Sequence, residues 1–239
     1  LVLLDPDSGV AYDFWQATVA TGASGQSLGG GVCGQVVSSA GAVDKFDVAG
    51  SGVNDNGSFS ARALGLPLLA GLILPEDVES GSIDHALALA IPGPRNLNSD
   101  DPWEPLASDY FYPASTTETD FYSSDPNALA SGQRIRLRGA LVDDEGEAID
   151  EEDLAPITVM FLSALRTHGA YVVDNAAGFT FYAEDPQSAL LKLSDAELNE
   201  LMGRPAGASF GSENRWLALI TALNDELEMI PLAYGPAWD

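Results

Sequence analysis

The longest apolar run in the chain lies between Leu64 and Pro92, and it cannot be a regular helix. Leu66, Leu68, Leu69, Leu72, Ile73 and Leu74 are interrupted by Gly65, Pro67, Gly71 and Pro75. Proline removes a backbone donor and glycine adds entropy cost, so this density of both prevents a helix. The run is expected to be a buried, irregular crossing whose glycines let backbones approach closely. Pro75-Glu76-Asp77-Val78 reads as one helical turn, with proline first and acids near the positive end of the dipole, stopped by Ser80-Gly81. Ile83 to Ile91 then reads as a strand. Ile83, His85, Leu87, Leu89 and Ile91 share one face, and Ala86, Ala88 and Ala90 line the other. Small residues on that second face predict a central strand and a buried or half-buried His85. Such a histidine is either hydrogen-bonded within the core or an acid, base or ligand at a site.

GLPLLAGLILPEDVESGSIDHALALAIP resembles the signature of a family of secreted bacterial proteins of uncharacterised function. In that signature a Gly-Leu-Pro…Gly-Leu-Ile…Pro-Glu block precedes Ile-x-His-Ala-Leu and a proline-closed strand. Gly132-Gln133-Arg134-Ile135-Arg136-Leu137 resembles the same family's Gly-x-Arg-x-Arg-Leu strand. Ala164 to Gly169, followed by Val173-Asp174-Asn175, resembles its Ala-Leu-Lys-x-Tyr-Gly…Asp-Asn-Gly segment, with His168 in place of the aromatic and Ala176 in place of the glycine. The likeness runs over roughly residues 1 to 183. It implies secretion and no particular chemistry.

A length of 239 residues suits one large domain or two small ones and can bury a good core, and no linker stands out to split it. The expectation is a single domain over residues 1–239, its helical portion 193–239 packed on a β-rich body. The net charge is -26, from 36 acids against 10 bases, and the only lysines are Lys45 and Lys192. Such an acidic, lysine-poor surface suits a salty medium that screens repulsion, so a salt-adapted, marine or halophilic bacterium is the expected source. The same field argues against a nucleic-acid partner. Cys33 is the only cysteine, which excludes an intrachain disulfide, and with two histidines a structural zinc site is not expected. No apolar stretch is long enough to span a membrane. The chain opens within a strand and without Met, as a trimmed piece of a longer precursor would. An extracellular or cell-surface location follows from these points and from the resemblance.

Leu1 to Leu4 and Val10 to Trp15 read as a hairpin about Asp5-Pro6-Asp7-Ser8-Gly9. Asp5 and Asp7 there are either plain turn residues or ligands of a structural calcium. Gly22 to Gly34 reads as a glycine-rich loop without phosphate-loop features. Val43 to Val48 reads as a strand, and Asn54-Asp55-Asn56-Gly57 as a turn. Gly93 to Ser131 is long, polar and rich in aromatics, including Trp103, Tyr110, Phe111, Tyr112, Phe121 and Tyr122. Long loops in compact domains are often functional. Rings beside carboxylates suit a sugar, stacking on pyranose faces while acids bond hydroxyls; alternatively the rings pin the loop to the core. Arg134 to Val142 reads as a strand with Arg134, Arg136 and Arg138 on one face, either pairing with acids or forming an anion site for a substrate carboxylate or sulfate. Helices are expected from about Leu154 to His168, capped by Asp150 or Asp153; after the capping box Ser194-Asp195-Ala196-Glu197, ending at Gly203; and from about Glu213 to Leu227 behind Ser212. Tyr171–Val173 and Phe179–Tyr182 suggest a hairpin around Asp174-Asn175.

The fold class expected is therefore α+β: a β-rich, mostly antiparallel sheet or sandwich with about three helices, two of them near the C-terminus. No catalytic motif stands in the sequence. His85, Asp174 and Glu76 are the candidate catalytic residues, since acid–base chemistry needs a titratable group held by a rigid element. Arg136, Trp103 and Tyr112 are the candidate substrate contacts. The leading expectation is a secreted polysaccharide-active enzyme: a glycoside hydrolase using two carboxylates drawn from Asp5, Glu76 and Asp174, or a lyase using His85 or a tyrosine as base and Arg136 to neutralise a uronate. The alternative is a non-catalytic extracellular module that binds glycan or self-assembles, with calcium in its acidic turns. A Ser60/His85/Asp174 hydrolase is a weaker third. An enzyme is distinguished by His85 or Asp174 meeting another titratable group of shifted pKa in a cleft.

Overall fold

The computed structural model describes residues 1–19, 37–51, 61–143, 145–207, 209–210 and 214–229. The Gly22–Gly34 loop with Cys33, the Asn54–Gly57 turn, Ser60 and Ser212 lie outside them. The chain is α+β and sheet-rich. Its elements are β1 (Val2–Asp5), β2 (Val10–Trp15), β3 (Thr18–Val19), β4 (Val37–Ser39), β5 (Ala42–Asp47), α1 (Pro75–Ser80), β6 (Leu87–Ile91), β7 (Arg134–Ile135), α2 (Pro156–Thr167), β8 (Ala170–Asn175), β9 (Thr180–Phe181), α3 (Asp195–Leu201) and α4 (Arg215–Met229). Two compact units divide it: residues 1–70, 90–133 and 172–179, and residues 71–89, 134–171 and 180–239.

In the first unit β1, β2 and β5 form an antiparallel sheet in which β2 is central. Period-two alternation buries Ala11, Asp13, Asp44 and Phe46 and exposes Tyr12, Val43 and Lys45. Asp13 and Asp44 stand directly opposite one another across β2 and β5. Burial pushes the Asp13 carboxyl up, against the pull of the Leu68 N–H that it accepts at 2.6 Å and of the Arg62 cation. Arg62 is itself fully buried and donates to the carbonyls of Pro67 and Ala70. These carbonyls belong to the Gly/Pro-broken run, which is irregular and largely buried, as its composition requires.

The second unit is built on α2. Ile157, Phe161, Leu162 and Leu165 bury one face of it, joined by Leu198 of α3 and by Trp216, Leu219 and Leu223 of α4. Trp216 satisfies its indole N–H on the Glu184 carbonyl at 2.8 Å. Phe161 meets Phe181 of β9 edge to face at 4.8 Å. Proline opens α2, but its N-cap, Ala155, has no side-chain acceptor. Glu226 of α4 supplies one instead, accepting the Ala155 N–H at 3.1 Å and the Thr158 hydroxyl. Asp150, expected to cap this helix, caps the preceding 3-10 turn Glu151–Asp153. Gly169 then stops α2 with φ of 74°. Helices α1 and α3 fall where expected: α1 ends on left-handed Gly81, and α3 begins with the Ser194/Glu197 capping box.

Three elements differ from expectation. The strand around the alanines is limited to Leu87–Ile91, all buried, and His85 precedes it. The His85 ring turns to its neighbour's carbonyl, Ala86 O, and to Asp77 of α1, which draws residues 84–86 out of the extended ladder. Strand β7 stops at Ile135 because the chain then follows the end of α2: Leu137 N–H donates to Leu165 O, and Gly139 turns left-handed at φ 78°. Finally, β8 and β9 are not a hairpin, since the sheet order is β7-β8-β6-β9. Wholly apolar β6 takes the slot between them, bonding Gly169 O through Leu87 N–H and receiving Tyr182 N–H on Ala88 O.

Close backbone approach is real at Gly71, where an added Cβ would sit 2.5 Å from Ala88 N with φ at +79°. Gly81 has a similar φ, +83°, yet open space around it. Gly81→Ala is expected to cost about 1 kcal/mol from backbone strain alone. Gly71→Ala adds a clash with the β6 backbone and is expected to cost at least about 3 kcal/mol. Urea unfolding of both variants checks the difference.

Candidate functional site

Residues 92–133 contain no helix or strand, and their own polar groups hold them in place. Asn96, fully buried, donates from its amide to Pro102 O at 3.0 Å and Glu118 O at 2.9 Å. Buried Asp109 accepts the Leu97 and Leu106 N–H groups. Arg95 approaches Asp109 at 3.8 Å and donates to the carbonyls of Pro126 and Ser108. Thr117 donates to Arg95 O at 2.9 Å and lies 2.7 Å from the Ser131 hydroxyl. The backbone on both sides of the Glu118 carboxyl is thus fixed by interior hydrogen bonds.

The Glu118 side chain is half-buried, and its pKa is pushed up to about 7. Burial contributes most, then the negative charge of Asp174, then that of Asp120. Asp174 is the fifth residue of β8, whose Val172 and Val173 are buried. The next residue, Asn175, accepts the Gly93 N–H at 3.2 Å, so the strand end is tied to the start of the long segment. The Glu118 carboxyl therefore holds a proton near neutrality, and the acids Asp174 and Asp120 both favour that state. Carboxyls grouped in this way can take acid and base roles.

Aromatic rings of this segment face solvent: Trp103 is 64%, Tyr112 71% and Phe121 70% exposed. Tyr110 and Tyr122 are half-buried, so of the segment's rings only these two are placed to help the polar network hold it. The Tyr112 hydroxyl donates to Ser51 O at 3.2 Å.

Asp174, Trp103, Tyr112, Asp5 and Asp7 belong to the first unit; His85, Glu76 and Arg136 belong to the second. Both His85 nitrogens are engaged, Nδ1 with Ala86 O and Nε2 with Asp77 Oδ2, each at 3.1 Å. Asp77 also accepts the Leu74 N–H, closing the first turn of α1. Glu76 is exposed on that turn. Arg136 donates to Arg166 O and Arg134 to His168 O, so these cations cover carbonyls at the end of α2. Among the described residues neither Arg134 nor Arg136 forms an ion pair with an acid. Asp5 accepts the Ser8 hydroxyl at 2.6 Å and the Asp7 N–H at 3.1 Å within its own turn. Among the described residues no group of three or more His, Cys, Asp or Glu could hold a metal ion, and no helix is long and apolar enough to cross a membrane.

Glu118 is the residue that reading the sequence misses. It is one of seven acids between residues 90 and 133, and nothing local separates it from Glu104 or Asp120. Only the fold, by bringing Asp174 beside it, does so. Compared with protein-family models, curated proteins and solved structures, the chain gives no match.

Asp174→Asn is expected to lower the Glu118 pKa from about 7 while leaving it above the ordinary 4.5, because burial remains. Carboxyl-carbon NMR titration measures this. The linkage has a definite sign. The folded state holds the proton more tightly, so this group's stabilisation is full below about 4.5 and is lost as pH rises towards about 7. Glu118→Gln is expected to remove that component, flattening the dependence of melting temperature on pH across the same window.

Proposed function

We propose that the protein is a secreted, polysaccharide-active enzyme of the glycoside hydrolase type. Glu118 gives its proton to the departing glycosidic oxygen, and Asp174 acts as the second carboxylate, assisting water or attacking the sugar carbon. The observation that carries this reading is the half-buried Glu118, protonated near neutral pH beside Asp174 in a segment that exposes Trp103, Tyr112 and Phe121. Protonated and ionised carboxyls in one site are what glycosidic cleavage requires, and exposed rings offer stacking surfaces for pyranose faces. A lyase is less well supported, because Arg136 is occupied at the end of α2 and His85 by Asp77 and Ala86. The acidic, lysine-poor composition supports a salty extracellular setting.

The second reading, a glycan-binding or self-assembling extracellular module, is favoured by the same three exposed rings. Turnover separates the two. Release of reducing sugar from a polysaccharide panel is expected to fall with pH above about 7, as Glu118 loses its proton. Glu118→Gln and Asp174→Asn are each expected to reduce kcat by roughly 100-fold or more while leaving glycan retention intact. If wild type retains glycan but releases nothing from any substrate, the module reading replaces this one.

A further inference from the structure

We infer that a hollow of about 120 Å³, between the turn that follows α1 and one stripe of α2, binds a small amino alcohol in its ammonium form. The hollow lies wholly in the second unit and is independent of the glycan reading. Ser163, Ala164, Thr167 and His168 recur at spacings of three and four, so they share one side of α2 and its C-cap. Facing them are Gly81, Ser82 and Asp84. Gly81 has no side chain, and Ser163 and Ala164 have short ones, which keeps the space between helix and turn open.

Among the described residues Asp84 is the only acid lining the hollow, and no lysine or arginine lines it. The Asp84 carboxylate accepts the Ser82 hydroxyl at 3.0 Å and takes part in no ion pair. The guanidiniums at this end of α2 are committed: Arg134 donates to His168 O, Arg136 to Arg166 O, and Arg166 pairs with Glu151. Among the described residues the Ser163 and Thr167 hydroxyls and the His168 ring have no hydrogen-bond partner in the protein. A carboxylate without a counter-ion attracts a cation, and hydroxyl oxygens beside it suit an ammonium, which has three donors and no acceptor. At roughly 30 Å³ per water, the hollow holds about four waters, so its guest has about four to six heavy atoms. Ile83 and Met160 also line the hollow and offer apolar contact to methylene groups. A hydroxyl on the guest then has the His168 ring as its partner. A metal ion is a poorer match, since one carboxylate and one imidazole are too few ligands. An anionic guest would meet Asp84 as a like charge.

The ¹⁵N-labelled full chain is titrated near neutral pH with ethanolamine hydrochloride, ethylene glycol and sodium glycolate. Excess sodium chloride is present throughout, to screen general attraction to an acidic surface. Ethanolammonium is expected to give saturable amide shifts at Gly81, Asp84, Ser163 and His168, with an apparent Kd at least about tenfold below those of the diol and of glycolate. Asp84→Asn is expected to weaken ethanolammonium at least about tenfold. Ser163→Leu fills the hollow while keeping its charge, and is expected to abolish the shifts. Non-saturating shifts, saturable shifts confined to other residues, or an equal response to glycol or glycolate each overturns the assignment. So does an unaltered Kd in a folded Asp84→Asn protein. If a variant fails to fold, the ligand selectivity of the wild type decides alone.

Discussion

An irregular segment can hold a carboxyl in one place only if its own backbone groups are satisfied inside it. Residues 92–133 meet that condition through side chains rather than through a ladder. Asn96, Asp109 and Thr117 are all buried; Asn96 and Asp109 each bond two backbone positions, and Thr117 joins Arg95 O to the Ser131 hydroxyl. Buried polar groups are costly when unpaired and rigidifying when paired. The network therefore does here what a sheet does elsewhere. Without it Glu118 would sit on a mobile loop, its carboxyl hydrated and ordinary. With it, the side chain is held partly out of water beside the end of β8, and the proton stays.

The first unit uses its few cations sparingly, and the second does the same. Arg62 and Arg95 hold carbonyls of irregular backbone, and Arg134 and Arg136 hold carbonyls at the end of α2. In a chain with 36 acids, electrostatics alone would send each guanidinium to a carboxylate. Several go to backbone oxygens instead, because a helix end or a broken run leaves acceptors that nothing else can reach. Arg166 is a counterexample that fits the rule: it pairs bidentately with Glu151, on the 3-10 turn that precedes its own helix.

Local chemistry made much of the fold legible. The β1–β2 hairpin, the α1 turn stopped at Gly81, the α3 capping box and the core faces of α2 and α4 all follow from signals within a few residues. Features needing distant partners were hidden. A run such as Ile83–Ile91 has strand periodicity throughout, yet Asp77 reaches His85 and shortens the strand. Arg134 to Val142 alternates well, yet carbonyls of α2 redirect it after Ile135. Two matching runs around Asp174-Asn175 look like neighbours until β6 is placed between them. The candidate site divides the same way. Asp174 stands out as a polar residue closing an apolar strand, whereas Glu118 becomes distinctive only through burial and that neighbour.

The Glu226 contact with the start of α2 has a kinetic side. A helix whose first turn carries its own cap can form early and wait for its neighbours. Helix α2 has no such residue, and the carboxylate that completes it lies 71 positions further along the chain. Its opening turn therefore remains frayed until α4 has been made and docked, because loop closure must precede the bond. As the chain is synthesised, the start of α2 waits for this bond until α4 has been made.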